Sequence, residues 1–210
     1  EIKELLNGTI KDYQAPSVCG VGVIGVGFTK EDHRSREYQL WHGVIGRCYD
    51  IKHKSKRPTY EHCEASENFK YFPYFKEWCS KQVGFSSVDE KGKYFHLDKD
   101  ILIKGNKLYS EETCCFVPPD VNVSFTKTNA LRGDYPIGVQ YYKAGRCFRS
   151  FVGRFGKRDY LGQFNTADEA FQAYKNAKES YNRELAIKWK DQIDPQVYLA
   201  LMTYQVEITD

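Results

Sequence analysis

Arg158-Asp-Tyr-Leu-Gly-Gln-Phe-Asn-Thr-Ala-Asp-Glu-Ala-Phe-Gln-Ala-Tyr174 changes period part-way along, and that change decides the fold of the last third of the chain. Up to Phe164 the residues are read at the two-residue period of a strand with one buried face, with Leu161 inward and Arg158 and Tyr160 outward. From Thr166 onward the apolar residues recur three and four apart, as Ala170, Tyr174, Ala177 and Tyr181, the stripe of a helix packed on one side. Thr166-Ala-Asp-Glu169 at the junction has the spacing of a capping box, in which hydroxyl and carboxylate each satisfy a backbone N–H that the first turn leaves unpaired.

Toward the N-terminus the same alternation yields two more strands, Ile137 to Tyr142 and Cys147 to Val152, separated by the turn Lys143-Ala-Gly145. A loop from Gly153 to Lys157 leads to the third, Arg158 to Phe164. Alternation sends Val139, Phe148, Ser150, Val152 and Leu161 toward the helix and Gln140, Tyr142, Arg149, Phe151, Arg158 and Tyr160 outward. Between Arg132 and Lys190 there are twelve Lys/Arg against six Asp/Glu, whereas the rest of the chain is net negative, so the positive field is concentrated here. An outward face of arginines and rings, with Lys157 beside it, suits a polyanion: guanidinium groups pair with phosphates or guanine edges, and flat rings meet sugars or thymine methyls. The same residue types also serve protein interfaces, which is the competing reading.

Tyr135-Pro-Ile-Gly-Val-Gln140 and the run from Arg158 to Tyr174 resemble the integrase-like DNA-binding domain shared by plant APETALA and ethylene-response factors and by phage homing endonucleases. The Gly-Val, Tyr-Leu-Gly-x-Phe-x-Thr-x-x-Glu-Ala and Ala-Tyr elements match over about 50 residues. The resemblance implies a three-stranded sheet lying in the major groove of duplex DNA, with structured RNA as the alternative target.

The middle of the chain is similar to the His-Asn-His nuclease domain that precedes such modules in phage proteins, in degenerate form. The stretch from His96 through Gly105-Asn106, Cys114-Cys115 and Val121-Asn122 carries the likeness, and Trp41, Arg47, Pro58, Phe72, Phe75 and Trp78 belong with it. The resemblance implies a ββα His-Me-finger holding Mg²⁺ or Mn²⁺, with Asp98 and Asn122 as ligands and a histidine base after the aspartate. Lys99 stands where that histidine is expected, and Thr113 falls near the orienting asparagine. A lysine is protonated near neutral pH unless its surroundings lower its pKa by several units, and His96, two residues before Asp98, has the wrong strand parity for a simple replacement of Lys99. Three readings stay open: an active enzyme using Lys99 or His96, another metal arrangement, or an inactive domain kept for binding. Asn106 also reads as an ordinary turn residue.

The expected organisation is α+β: a degenerate His-Me-finger domain over residues 1–128, a connecting segment at 129–136, the sheet-and-helix module at 137–190, and a bracing helix within 191–210. That helix starts at Asp194-Pro195 and packs through Val197, Leu201 and Tyr204. Within the first domain two helical stripes are expected, Tyr38, Leu40, Trp41, Val44, Ile45 and Cys48, then Phe69, Phe72, Phe75, Trp78 and Cys79. A basic loop, Lys52 to Arg57, separates them. The Gly-rich string from Cys19 to Phe28 lacks the helix and acidic partner of a dinucleotide fingerprint and is read as a short strand with turns.

Seven cysteines, an odd number without Cys-x-x-Cys pairs, predict neither a disulfide framework nor a zinc site. No apolar run approaches the roughly 20 residues of a membrane span, so no membrane partner is expected; a cytoplasmic site and a monomer are the default expectations.

Overall fold

The computed structural model describes residues 15–125 and 134–208, so residues 129–133 of the expected connecting segment lie outside it. The chain is a mixed α+β protein with small sheets, and it divides into two compact units that are interleaved in sequence. One comprises residues up to Ser86 with Leu97–Cys115, the other Ser87–His96 with Phe116–Asp210.

In the first unit β1 (Pro16–Val18) pairs antiparallel with β2 (Gly22–Val23). Cys19 and Gly20 turn the corner with φ of 51° and 74°, so the Gly-rich string is a tight hairpin. Helix α1 (Lys30–Arg34) is closed by a capping box between Thr29 and Asp32. Helices α2 (Arg36–Tyr49), α3 (Ile51–Lys56) and α4 (Phe72–Ser80) follow. Both expected stripes are the core: Tyr38, Trp41, Val44, Ile45 and Cys48 of α2 and Phe72, Phe75, Trp78 and Cys79 of α4 are buried. Leu40 is only half-buried, because it lies off the stripe. Phe69 meets Phe75 edge-on at 5.0 Å, and its carbonyl accepts the Trp41 indole N–H at 2.9 Å, satisfying the one polar atom of that buried ring. Strand β3 (Glu64–Ala65) precedes α4, and β4 (His96–Asp98) carries the chain from the second unit back into the first. There β5 (Leu108–Tyr109) runs parallel to β3.

The second unit is built on one long helix. Strand β6 (Cys115–Val117) leads into α5 (Pro119–Phe125), and later come β7 (Val139–Tyr142), β8 (Cys147–Arg154), β9 (Lys157–Phe164), α6 (Ala167–Trp189) and α7 (Pro195–Thr203). The three last strands form an antiparallel sheet in the order β7-β8-β9. Its inner face, with Val152, Val139 and Leu161, packs on Phe171, Tyr174 and Ala177 of α6 and on Val206 after α7. Thr166 and Glu169 make the capping box read from the sequence, and Asp194 caps α7 by accepting from Gln196 N. Val197 and Leu201 are buried under it.

Helix α5 and the 87–96 hairpin both belong to the second unit. They fold onto the C-terminal end of α6. The Asp120 carboxylate accepts the Trp189 indole N–H at 3.0 and 3.2 Å and pairs with Lys188 at 3.2 Å. Lys188 also pairs with Glu90 at 3.1 Å, and the Phe95 ring meets Trp189 edge-on at 5.5 Å. Helix α6 extends about two turns past Tyr181 with a fully buried Leu185 and Ala186, giving that cluster its floor.

Candidate nucleic-acid interface

Strand register places every expected outward residue. Gln140 pairs with Arg149 and Tyr142 with Cys147 across β7 and β8; Phe151 pairs with Tyr160 and Gly153 with Arg158 across β8 and β9. Since partners across a strand pair share a face, Gln140, Tyr142, Arg149, Phe151, Arg158 and Tyr160 lie together opposite the helix. Lys157 pairs with Arg154, one register step on, and so takes the helix-side parity at the exposed end of the β8–β9 hairpin.

The two parities treat arginine differently. On the helix side the Arg154 guanidinium donates to the Glu184 carboxylate of α6 at 2.5 Å. On the outer face Arg149 stacks over the Tyr142 ring, 3.3 Å from its centroid, and Arg158 over the Phe151 ring at 4.0 Å. Phe151 leans on Tyr160 at 5.4 Å. Neither outer arginine has an ion pair among the described residues, and the Arg149 Nε is buried with no hydrogen bond. Asp159 shares the parity of Val152 and so points away from this face. Stacking fixes the guanidinium planes, and a cation on an exposed ring gains about 0.5–1 kcal/mol. Their hydrogen-bonding edges are left uncommitted.

One face residue is invisible to simple alternation. Ser150 pairs with Gly162 but the next residue, Phe151, pairs with Tyr160, so Leu161 is an inserted residue and β9 carries a bulge. The bulge tucks Leu161 into the core and flips the parity that follows, placing Gln163 opposite Arg149 on the outer face. Gly162, at φ 133°, occupies a conformation that L side chains rarely adopt, and a glycine inside a strand is the signal that marks such a site. Cys147 also lies on this face, its thiol donating to Gln163 Oε1 at 3.5 Å.

The central candidates are each held by local hydrogen bonds. Asp98 Oδ1 accepts the backbone N–H groups of Asp100 and Ile101 at 2.7 and 2.9 Å, closing a turn at the end of β4. Burial pushes its carboxyl up from the ordinary value, against the pull of those two donors. Lys99 is buried, with Nζ paired to the Asp100 carboxylate and donating to the Asn106 carbonyl at 2.7 Å. Asn106 returns a bond from Nδ2 to the Lys99 carbonyl at 2.9 Å and is bonded twice more to Leu108. Lys99 and Asn106 thus lock the loop from 99 to 108, and Thr113 Oγ1 fastens its end by donating to the Leu108 carbonyl at 2.7 Å. Within the second unit His96 Nδ1 and Asn122 Nδ2 approach to 3.1 Å.

The Asp98 oxygen is bound by its own turn, the Asn122 amide faces an imidazole, and among the described residues no three His, Cys, Asp or Glu side chains gather where a metal could sit. No family model, no curated protein and no solved structure matches the chain. Among the described residues no helix is long and apolar enough to cross a membrane.

Proposed function

We propose that this protein binds duplex DNA through the outer face of the β7-β8-β9 sheet. The observation that carries the reading is the pair of ring-stacked arginines, Arg149 and Arg158, on a face without a carboxylate, while Arg154 on the other parity is neutralised by Glu184. Unpaired, pre-oriented guanidinium groups have their donors ready for phosphate oxygens or guanine edges. A duplex is favoured over a single strand because the Tyr142 and Phe151 rings are covered by this chain's own arginines, whereas single-strand binding relies on open rings for base stacking. DNA is favoured over RNA because the B-form major groove admits a sheet and the deep, narrow A-form groove does not.

Titrating a duplex at several salt concentrations tests this. Arg149→Ala and Arg158→Ala should each weaken binding and, where the residue meets phosphate, flatten the log–log salt slope by about one unit. Arg154→Ala should leave the slope unchanged. Absence of retention at low salt, or unchanged affinity in both outer-face variants, would overturn the reading.

Strand nicking is a second reading, favoured by the His96–Asn122 contact, since a side-chain amide that orients an imidazole is a way to position a general base. It is checked on supercoiled DNA with Mg²⁺ and Mn²⁺ separately. Nicking that is lost in His96→Ala and kept in Lys99→Met would support it. An intact substrate under both ions, alongside binding, leaves a DNA-binding protein without this activity.

A further inference from the structure

The bulge in β9 completes a row that spans the sheet. Gln140 on β7 is paired with Arg149 on β8, and Arg149 with Gln163 on β9, so three polar side chains stand side by side across the three strands. The neighbouring row on the same face is aromatic, Phe151 with Tyr160. The face is therefore zoned: a hydrogen-bonding row beside an apolar one. Gln140 and Gln163 are exposed, and Arg149 is held between them by its stack on Tyr142. With strands about 4.8 Å apart the row is about 10 Å wide, close to three base pairs at roughly 3.4 Å each.

We infer that the Gln140–Arg149–Gln163 row is the sequence-reading element of the sheet, with Arg149 addressing a guanine and the two glutamines flanking adenines. This rests on the duplex-binding reading. The chemistry follows from the donors: a guanidinium fork matches the O6 and N7 acceptors of guanine, and a carboxamide, one donor and one acceptor, matches N7 and N6–H of adenine. Gln163 is the specificity-determining member that depends on the bulge. Its Oε1 accepts the Cys147 thiol, which biases the orientation of the amide and leaves Nε2 to donate to adenine N7. Straightening β9 by one residue would turn the side chain to the helix side and break the row.

Selection from a randomised duplex pool tests the assignment, with wild type, Gln163→Ala and Gln163→Glu carried through in parallel and a single-stranded pool beside them. The wild type should enrich a guanine with adenine on either side. Gln163→Ala should lose preference at one adenine only, with affinity for the selected site falling about 5- to 150-fold and affinity for random duplex falling far less. Gln163→Glu, a pure acceptor, should move that preference toward the base pair offering the cytosine N4 donor. Duplex retained without any consensus, a consensus indifferent to both variants, or enrichment confined to the single-stranded pool would overturn the inference. The first two of these leave duplex binding standing; failure to retain any pool removes both.

Discussion

Lys178 is a charge held largely out of water by this fold. It lies in the middle of α6 with its Nζ donating to the Ser124 carbonyl at the end of α5, and no carboxylate pairs with it among the described residues. Burial alone pushes its pKa down to about 8. An ordinary lysine titrates near 10.4, so the gap, at 1.36 kcal/mol per pH unit, is about 3 kcal/mol. The remaining solvent contact of the side chain makes that an upper figure. Below about pH 8 both folded and unfolded chains carry the charge, and the folded state bears the whole penalty. Between about 8 and 10.4 the unfolded chain binds more protons than the folded one, so this group's contribution to stability rises with pH, and above 10.4 the penalty is gone. Lys178→Met keeps the length and the apolar packing but removes the titration, and forfeits one hydrogen bond, typically about 0.5–1.5 kcal/mol, by the same amount at every pH. Urea unfolding of wild type and variant, repeated from neutral pH to above 10.4, isolates the effect, because the other lysines, tyrosines and cysteines are common to both. The stability of the variant relative to wild type should fall by about 3 kcal/mol across that range. A difference that stays constant with pH would refute the claim that Lys178 is buried as an uncompensated charge.

Gly138 has φ 79°, and a Cβ there would stand 2.1 Å from the Tyr174 ring, so Gly138→Ala should destabilise the second unit by more than the 1–3 kcal/mol usual for overpacking, read from its thermal unfolding. The seven thiols should fall into two classes toward an alkylating reagent: exposed Cys19 and half-exposed Cys147 react in the folded protein, and the five buried ones only on unfolding. Burial drives the Cys48 thiol up to about 12 and pushes those of Cys79 and Cys114 up as well, so thiolate is scarce there at neutral pH. Gly162→Ala should cost stability and, by opposing the bulge, weaken binding as Gln163→Ala does; a stable variant with unchanged binding would show that the bulge is dispensable.

What could be read before folding is what repeats locally. Period-two alternation is enough to put Arg149 and Phe151 on one face, and period-3.6 stripes are enough to bury Trp41, Phe75 and Tyr174, because each pattern reports a single buried side. The capping box at Thr166 is legible for the same reason: both partners lie within one turn. Gln163 is missed because a bulge breaks the count, and the only local trace of it is a glycine inside a strand. The central aspartate and lysine show a second limit of local reading. Asp98 and Lys99 look like a reactive pair by order along the chain, yet their partners are the backbone of the next turn and Asn106, seven residues on, which a motif does not display. The packing of α5 on the end of α6 is illegible for a further reason, since it depends on pairs such as Asp120 with Trp189 that are far apart in sequence.

That last pair bears on how the protein is made. Asp120 leaves the ribosome 69 residues ahead of Trp189, and at about 5–20 residues per second it waits roughly 3–14 s for its partner. During that interval α5, a seven-residue helix too short to be stable alone, and the hairpin at 87–96 have no floor to pack on. A ribosome-bound chain stalled before Trp189 should therefore still expose both segments to protease, and release of the last turns of α6 should protect them together.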